Sequence, residues 1–441
     1  MFGYYLELAI RSLRRNLVLT TLLVGAVSVG IGTCMTALTT LRAMSGDPIR
    51  DKSSQLFVPH INAWDPDRGR PGTADSQFTY RDAMALMKAH KGVHQAAMYM
   101  VALNVRTPGG TLVQVHGRAT YADFFSMFEV PFRTGGPWDR KQDDNRENVV
   151  VISSKLADRV FPRAEAVGRT INLNTRDYRV IGVIGPWAPT PRFYDLYDAY
   201  GEPEDVYLPF STAVDRQMPP RGYTSCGNED NEDRAPTTWE GRLNSRCYWV
   251  QFWVALTTAA QVRDYRTFVQ GYAIEQYQLG LYHWPPRVQL RDVMDWLTFN
   301  YVVSDGTRVN MMIATGLLIV CLVNAVGLML ANFAGRAAEL GVRRALGASQ
   351  WDLLLQCLAE TLIMGLLSAA LGLALTIAGL LGVRALRGIA PQDTAMRHLY
   401  AMDPQMILIV LATAVAATVF TGLYPALRAV RTQAAWQIKT Q

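Results

Sequence analysis

Four long runs without charged residues dominate the hydrophobic pattern of this chain. They cover residues 17–41, 309–335, 361–383 and 404–427. A helix needs about 20 predominantly apolar residues to cross a bilayer core of roughly 30 Å, and each run is long enough. The pattern predicts four transmembrane helices, over 17–42, 309–335, 353–383 and 404–427. An even number of crossings brings both ends of the chain to the same side of the membrane.

The first run has a competing interpretation as a cleaved signal peptide, because Arg11, Arg14 and Arg15 precede it. Signal peptides carry an apolar stretch of roughly 7–15 residues, which is shorter than this run, so we interpret it as a spanning helix. Residues 1–16 place apolar side chains opposite charged ones at helical spacing. This predicts an amphipathic N-terminal helix, either along the inner headgroups or as an extension of the first span.

Residues 43–308 contain no apolar run long enough to span. Their alternating apolar segments and turn residues predict an α+β domain, and its length allows two subdomains. We expect a helix over 80–91, paired strands over 94–101 and 112–115, and a strand, helix and further strands over 149–184. Before the second span, an interfacial aromatic belt is expected. Its members are Trp284, Trp296, Phe299 and Tyr301.

A polar segment over about 217–246 interrupts this domain and is rich in Pro, Gly, Asn, Asp and Glu. We interpret it as a surface insertion. Cys226 and Cys247 bracket most of it. In an extracytoplasmic domain they would form a disulfide that pins the ends of the insertion, and two free thiols are the alternative.

Charge sets the expected orientation. The chain has 441 residues, of which 50% are hydrophobic, and a net charge of +6. Basic residues gather beside the spans on one side: Arg11, Arg14, Arg15, Arg336, Arg343, Arg344, Arg428, Arg431 and Lys439. The positive-inside rule makes that side cytoplasmic, with the tail 428–441, and makes the large domain and the short loop 384–403 periplasmic. Basic residues beside apolar runs favour lipid headgroups over nucleic acid as their partner.

The segment between the second and third spans, residues 336–352, combines arginines with a helical pattern. Leu340, Arg343 and Arg344 suggest a short helix that ends near Gly347. Composition alone is equally compatible with an interfacial helix whose arginines solvate headgroups. Glu360 lies just inside the third span, where a proton or substrate role competes with a structural pair to an arginine of this segment. Its place near the span end favours the pair.

Residues 339–348, Glu-Leu-Gly-Val-Arg-Arg-Ala-Leu-Gly-Ala, resemble the signature loop of FtsX-like, MacB-type ABC permeases. Residues 121–132 and 149–184 are similar to the MacB-type periplasmic core domain, and the order of one span before that domain and three after it also matches. The resemblance implies a permease of a bacterial inner membrane. It weakens in the polar insertion and at the extreme C-terminus.

The resemblance also implies how such a permease works. The loop docks on an ABC ATPase subunit and passes ATP-driven closure to the helices and the periplasmic domain. Residues assigned to this ATPase coupling are Glu339, Leu340, Gly341, Arg343, Arg344 and Gly347. Implied partners are a second permease copy or homologue, a periplasmic adaptor and an outer-membrane channel. An FtsX-like scaffold that activates an envelope hydrolase, and a lipoprotein-releasing permease, are the alternatives.

Catalytic and nucleotide-binding motifs are absent from the sequence. No G-x-x-x-x-G-K-[ST] cradle for nucleotide phosphates occurs, so ATP and Mg²⁺ are expected in a partner subunit and no cofactor in this chain. The six histidines are scattered, and neither H-E-x-x-H nor G-x-S-x-G is present. We therefore expect neither a metal site nor an enzyme active site.

Overall fold

The computed structural model describes residues 16–63, 77–162, 164–226, 236–386 and 404–431. Within these ranges the chain forms two compact units, divided after Met44 and after Val302. We call residues 45–302 the large domain and the remainder the membrane unit. Nearly all of the expected N-terminal amphipathic helix, most of the loop 384–403 and the end of the tail 428–441 lie outside the described residues.

The described helices are α1 Leu17–Ser45, α2 Tyr80–Ala89, α3 Asp123–Met127, α4 Arg140–Asp144, α5 Ser154–Val160, α6 Phe210–Asp215, α7 Trp239–Asn244, α8 Ala259–Gln278, α9 Val293–Phe299, α10 Asp305–Ala334, α11 Ala337–Ala345, α12 Gln350–Leu386 and α13 Pro404–Arg431. The strands are β1 Leu56–Asn62, β2 His94–Arg106, β3 Leu112–Thr120, β4 Phe132–Gly135, β5 Val149–Ser153, β6 Thr170–Leu173, β7 Arg176–Ile184, β8 Val206–Pro209, β9 Pro220–Arg221, β10 Gln251–Ala255 and β11 Arg287–Asp292.

Four of these helices, α1, α10, α12 and α13, are long and apolar enough to cross a membrane. Two of them begin earlier than the apolar runs suggest. Ser304 accepts a hydrogen bond from the Thr307 amide at the start of α10, and Ser349 accepts one from the Asp352 amide at the start of α12. Because N-caps rather than apolar composition set helix starts, the helices reach into their polar flanks.

Small residues bring the membrane helices close together. A Cβ on Gly32 of α1 would lie 2.8 Å from Leu375 of α12, and one on Gly365 of α12 would lie 2.2 Å from Thr418 of α13. These distances exclude any larger side chain without a shift of the helices, as expected for interfaces built on small residues. Gly25 of α1 and Gly382 of α12, by contrast, meet no heavy atom within 4 Å.

One mixed sheet organises the large domain. Its strand order is β11-β1-β10-β2-β3-β8-β5-β7-β4, with β6 joined to β2 and β7 and β9 joined to β2. The pairs β3–β8 and β5–β7 are parallel, and the other pairs are antiparallel. The expected hairpin is β2–β3, and α2 is the helix expected over 80–91.

Both faces of the sheet are buried, each under its own hydrophobic cluster. Along β2, Tyr99 and Val101 belong to one cluster and Ala96 and Met98 to the other. This follows from the two-residue period of a strand, which sends successive side chains to opposite faces. The predicted α+β domain is confirmed: residues 45–302 form a compact unit in which a continuous sheet separates two cores.

Two aromatic features differ from the sequence-based expectation. Trp296, expected in a membrane-interface belt, is buried in the large domain, where its indole N–H donates to the Phe193 carbonyl at 3.2 Å. The polar insertion is not uniformly irregular, because Thr238 caps the short helix α7 and Trp239 packs against Trp249. Aromatic side chains bury large apolar areas, which outweighs the polar composition around them.

Candidate functional site

The candidate site is the stretch that joins α10 to α12, which we call the connecting segment, residues 336–352. Helix α11 occupies its first half and ends beside Gly347, whose φ is +99°. At that value a Cβ is strained, so glycine suits the turn. The Gly347 amide donates to the Arg344 carbonyl at 3.1 Å, and the Ala348 amide donates to the Arg343 carbonyl at 3.1 Å. These bonds close the helix end and turn the chain towards α12.

A reciprocal cap fixes the start of α12. The Ser349 hydroxyl accepts from the Asp352 amide at 3.2 Å. In return, Asp352 Oδ2 accepts from the Ser349 hydroxyl at 2.6 Å and from its amide at 3.2 Å. This arrangement gives hydrogen-bond partners to backbone N–H groups at the start of α12 and holds the turn between α11 and α12 in one conformation.

A buried ion pair ties the segment to the third membrane helix. Arg336 Nη1 donates to Glu360 Oε2 at 2.8 Å, and both side chains are buried. The structural-pair interpretation of Glu360 is therefore confirmed. A buried charge is tolerated only when it is paired, so this bond restrains where α11 begins relative to α12.

The proposed coupling residues occupy different positions along α11. Arg343 Nη1 donates to Gln356 Oε1 of α12 at 3.0 Å, which gives α11 a second attachment, while Arg344 is half-buried. Gly341 lies within α11. The side chains of Glu339 and Leu340 lie outside the described residues, although their backbone is helical.

The exposed apolar side chains near these arginines were not among the site residues predicted from the sequence. Val342, Leu346 and Trp351 are 60%, 82% and 73% exposed. Val342 and Leu346 are four residues apart and therefore share one face of α11. We call Val342 and Leu346 the apolar face; Trp351 lies at the start of α12. Three large apolar residues within a polar, arginine-rich stretch were the available signal, because such residues are normally buried or in contact with a partner.

A buried polar network lies in the large domain. Arg118 pairs with Glu204 and Asp195, and Arg192 Nη1 lies 3.6 Å from Glu204 Oε1. Burial raises the pKa of Glu204, but the guanidiniums of Arg118 and Arg192 outweigh it and hold the pKa at about 2. Tyr194 adds a hydrogen bond to Glu204 Oε2 at 3.1 Å. The four charges balance, which explains how they are tolerated in a core.

The two cysteines of the insertion are joined. Cys226 and Cys247 form a disulfide with their Cα atoms 4.0 Å apart. Residues 227–235 between them lie outside the described residues. Among the described residues, no group of three or more His, Cys, Asp or Glu side chains could hold a metal ion.

Comparisons with known proteins cover most of the chain. Residues 20–267 match the model of the MacB-like periplasmic core domain, and residues 311–434 match that of the FtsX-like permease C-terminal domain. "Macrolide export ATP-binding/permease protein MacB" of Salmonella paratyphi A is 24% identical over 300 residues, covering 68% of this chain and 40% of that protein. The protein of the same name from Escherichia coli K12 is 24% identical over 390 residues, 85% of this chain and 52% of that protein.

Among solved structures, the periplasmic region of MacB from Actinobacillus actinomycetemcomitans matches with a TM-score of 0.36 and 13% identity. The match covers 58% of this chain and 96% of that one. The chain spans only 40% of the length of the first curated relatives. The two family models nevertheless cover most of α1, the large domain up to residue 267 and most of the last three membrane helices, in the expected order. The chain therefore belongs to the FtsX-like ABC permeases that carry a MacB-like periplasmic core domain.

Proposed function

We propose that the chain is the transport subunit of an ABC-type efflux or extraction machine and receives mechanical work from a separate ATPase. One observation carries this proposal: the connecting segment exposes an apolar face while its backbone is attached firmly to α12. An exposed apolar patch fits a partner protein. A rigid attachment to α12 lets a force exerted by that partner reach the membrane helices. The family assignment and the name of the curated relatives, which includes ATP binding, support an ABC ATPase as the partner.

Force on α11 would act on α12 through two polar links. One is the pair of Arg336 with Glu360, and the other is the bond of Arg343 to Gln356. Charge-assisted hydrogen bonds in a low-dielectric setting resist separation, so α11 and the start of α12 would move together. The glycine contacts of α12 with α1 and α13 would extend this motion, and α1 continues directly into the large domain.

The orientation we propose follows the basic flanks. The connecting segment and both chain ends face the cytoplasm, and the large domain lies in the periplasm of a bacterial inner membrane. In that setting ATP-driven motion would act on cargo already outside the membrane. We propose a working unit of two permease chains with their ATPases, with a periplasmic adaptor and an outer-membrane channel as further partners. Efflux is favoured over a scaffold role by the large-domain match.

The test measures ATPase recovery with the full chain. A tagged chain is purified from membranes of its source cell in mild detergent, and co-purifying P-loop ATPases are identified by mass spectrometry. Leu346→Asp places a charge on the apolar face, and we expect about tenfold less ATPase to co-purify, equivalent to about 1.4 kcal/mol of binding. Vanadate-sensitive ATP hydrolysis of the preparation should fall in parallel.

The matched control is Leu279→Asp in the large domain. Leu279 is 65% exposed, so the substitution adds the same charge at a comparably exposed leucine. ATPase recovery should not change in this variant. Equal recovery with Leu346→Asp and the unaltered chain, or an equal loss in both variants, would contradict docking at the connecting segment.

A further inference from the structure

A cavity of about 440 Å³ opens in the large domain, outside the connecting segment. Small-molecule sites span roughly 300–1,000 Å³ and are lined mainly by apolar and aromatic side chains with a few convergent polar groups. This cavity has that composition. Its aromatic lining residues are Phe193, Tyr194, Tyr197, Tyr223, Phe252, Trp253, Trp296 and Tyr301.

Three side-chain amides line the cavity, those of Gln77, Gln251 and Asn300. Arg118 Nη1 donates to Gln251 Oε1 at 3.1 Å, so the amide N–H groups of Gln251 are the donors it can offer to a ligand. Asn300 Nδ2 donates to the Trp296 carbonyl at 2.9 Å, which leaves Asn300 Oδ1 as an acceptor. Gln251 and Asn300 thus offer an oriented donor and an oriented acceptor. A polar group whose orientation is fixed in advance confers specificity because little ordering cost remains at binding.

The charge of the wall is already neutralised. Of the residues described around the cavity, Asp195 is the one that carries a formal charge. Its carboxylate accepts from Arg118 and, at 3.1 Å, from the Tyr197 amide. Glu204 and Arg192 behind it complete a balanced set of charges. An ionised ligand would lose its hydration there without gaining a counter-charge, whereas an uncharged one would not.

The rings are arranged from a buried floor to an exposed rim. Trp253 and Trp296 are buried, whereas Tyr197, Tyr223 and Tyr301 are exposed. The Tyr194 ring is held from behind by the Arg118 guanidinium, 4.8 Å from its centroid. Aromatic side chains pack well against planar rings and contribute beyond the buried area alone.

We infer that this cavity is a ligand site for an uncharged, planar aromatic molecule that carries one hydrogen-bond donor and one acceptor on its edge. The donor would meet Asn300 Oδ1, and the acceptor would meet the Gln251 amide. The molecule's rings would lie among the tyrosines and tryptophans. Binding at this site requires no ATPase and is independent of the function proposed for the connecting segment.

The experiment uses the full chain in lipid nanodiscs and a photoreactive probe. The probe is 2-quinolinone bearing a diazirine, which is uncharged, planar and aromatic, with an N–H donor and a carbonyl acceptor on one edge. After irradiation, labelled peptides are identified by mass spectrometry, which separates the cavity from membrane-facing surfaces. We expect labelling of segments 193–199 and 296–302 that saturates and is competed by unlabelled 2-quinolinone. The sulfonated counterpart of the probe should label these segments about tenfold less, a difference of about 1.4 kcal/mol.

Variants assign the labelling to the cavity. Ala199→Trp fills it from a half-buried lining position, and Gln251→Glu keeps the acceptor for Arg118 but replaces the donor with a charge. Each should lower labelling about tenfold, equivalent to about 1.4 kcal/mol. Tyr197→Ala is a further variant that should lower labelling. Its position at the rim is 62% exposed, so the substitution carries little risk to folding. Tyr277→Ala on the exposed side of α8 is the control and should leave labelling unchanged.

Three results would overturn the inference. The first is labelling of the cavity segments that does not saturate or that resists competition, which indicates partitioning without a site. The second is equal labelling of these segments by the charged and uncharged probes. The third is labelling confined to the membrane helices, which excludes this cavity as the site.

Discussion

Replacing Arg336 with methionine removes the cationic half of the pair that attaches the connecting segment to α12. Arg336 Nη1 lies 2.8 Å from Glu360 Oε2, and the glutamate side chain is 1% exposed. At that distance two unit charges attract by about 6 kcal/mol for an effective dielectric constant of about 20. Desolvation offsets part of this attraction, and removal of one partner from a buried pair costs about 3–5 kcal/mol.

Thermal unfolding of the full chain in lipid nanodiscs measures this loss. We expect the unfolding midpoint to fall by about 10 °C in Arg336→Met, given the size of the membrane unit. The double variant Arg336→Met/Glu360→Leu should recover most of the fall, because a packed apolar pair replaces a buried ion pair at little cost. Two results would contradict this expectation. One is an unchanged unfolding midpoint in Arg336→Met. The other is a fall in the midpoint of the double variant that equals the sum of the falls in Arg336→Met and Glu360→Leu.

Three further predictions concern the large domain and the turn of the connecting segment. With a pKa of about 2 against an ordinary 4.5, Glu204 contributes about 3 kcal/mol that is present above pH 4.5 and lost as pH falls towards 2. Thermal melts across pH should therefore show Glu204→Gln less stable at neutral pH and converging with the unaltered chain in acid. Cys226→Ser/Cys247→Ser opens a loop with a sequence separation of 21 and should cost about 3 kcal/mol in denaturant unfolding. Reducing agent should then have no further effect on this variant. Gly347→Val strains a residue at φ +99° by about 1–2 kcal/mol and should lower ATPase recovery, whereas Gly306→Ala, at an open helix start, should not.

The four membrane spans were predictable because the length of an apolar run is a strong signal. The starts of α10 and α12 could not be predicted from apolar composition, because single side chains, Ser304 and Ser349, define them through hydrogen bonds. The interpretation of Trp296 was wrong because an aromatic residue near a span has the same local sequence whether it faces lipid or a domain core. Only the tertiary contact with Phe193 distinguishes the two.

The contacts of the candidate site were also predictable only in part. Glu360 could be assigned to an arginine of the connecting segment because a buried carboxylate near a span end requires a partner. The choice of Arg336 required the structure. The network around Arg118 could not be predicted, since Asp195, Glu204 and Gln251 lie far apart in sequence and meet only through the sheet and its loops. Hydrophobic periodicity carries no information on such contacts.

Docking of the connecting segment on a separate ATPase can be tested by crosslinking in living cells. The photo-crosslinking residue benzoylphenylalanine is placed at position 346 of the full chain, with position 279 as the control. We expect a crosslinked product that contains P-loop ATPase peptides from position 346 and none from position 279. Crosslinking of position 346 to lipid alone, or an ATPase product from position 279, would contradict it.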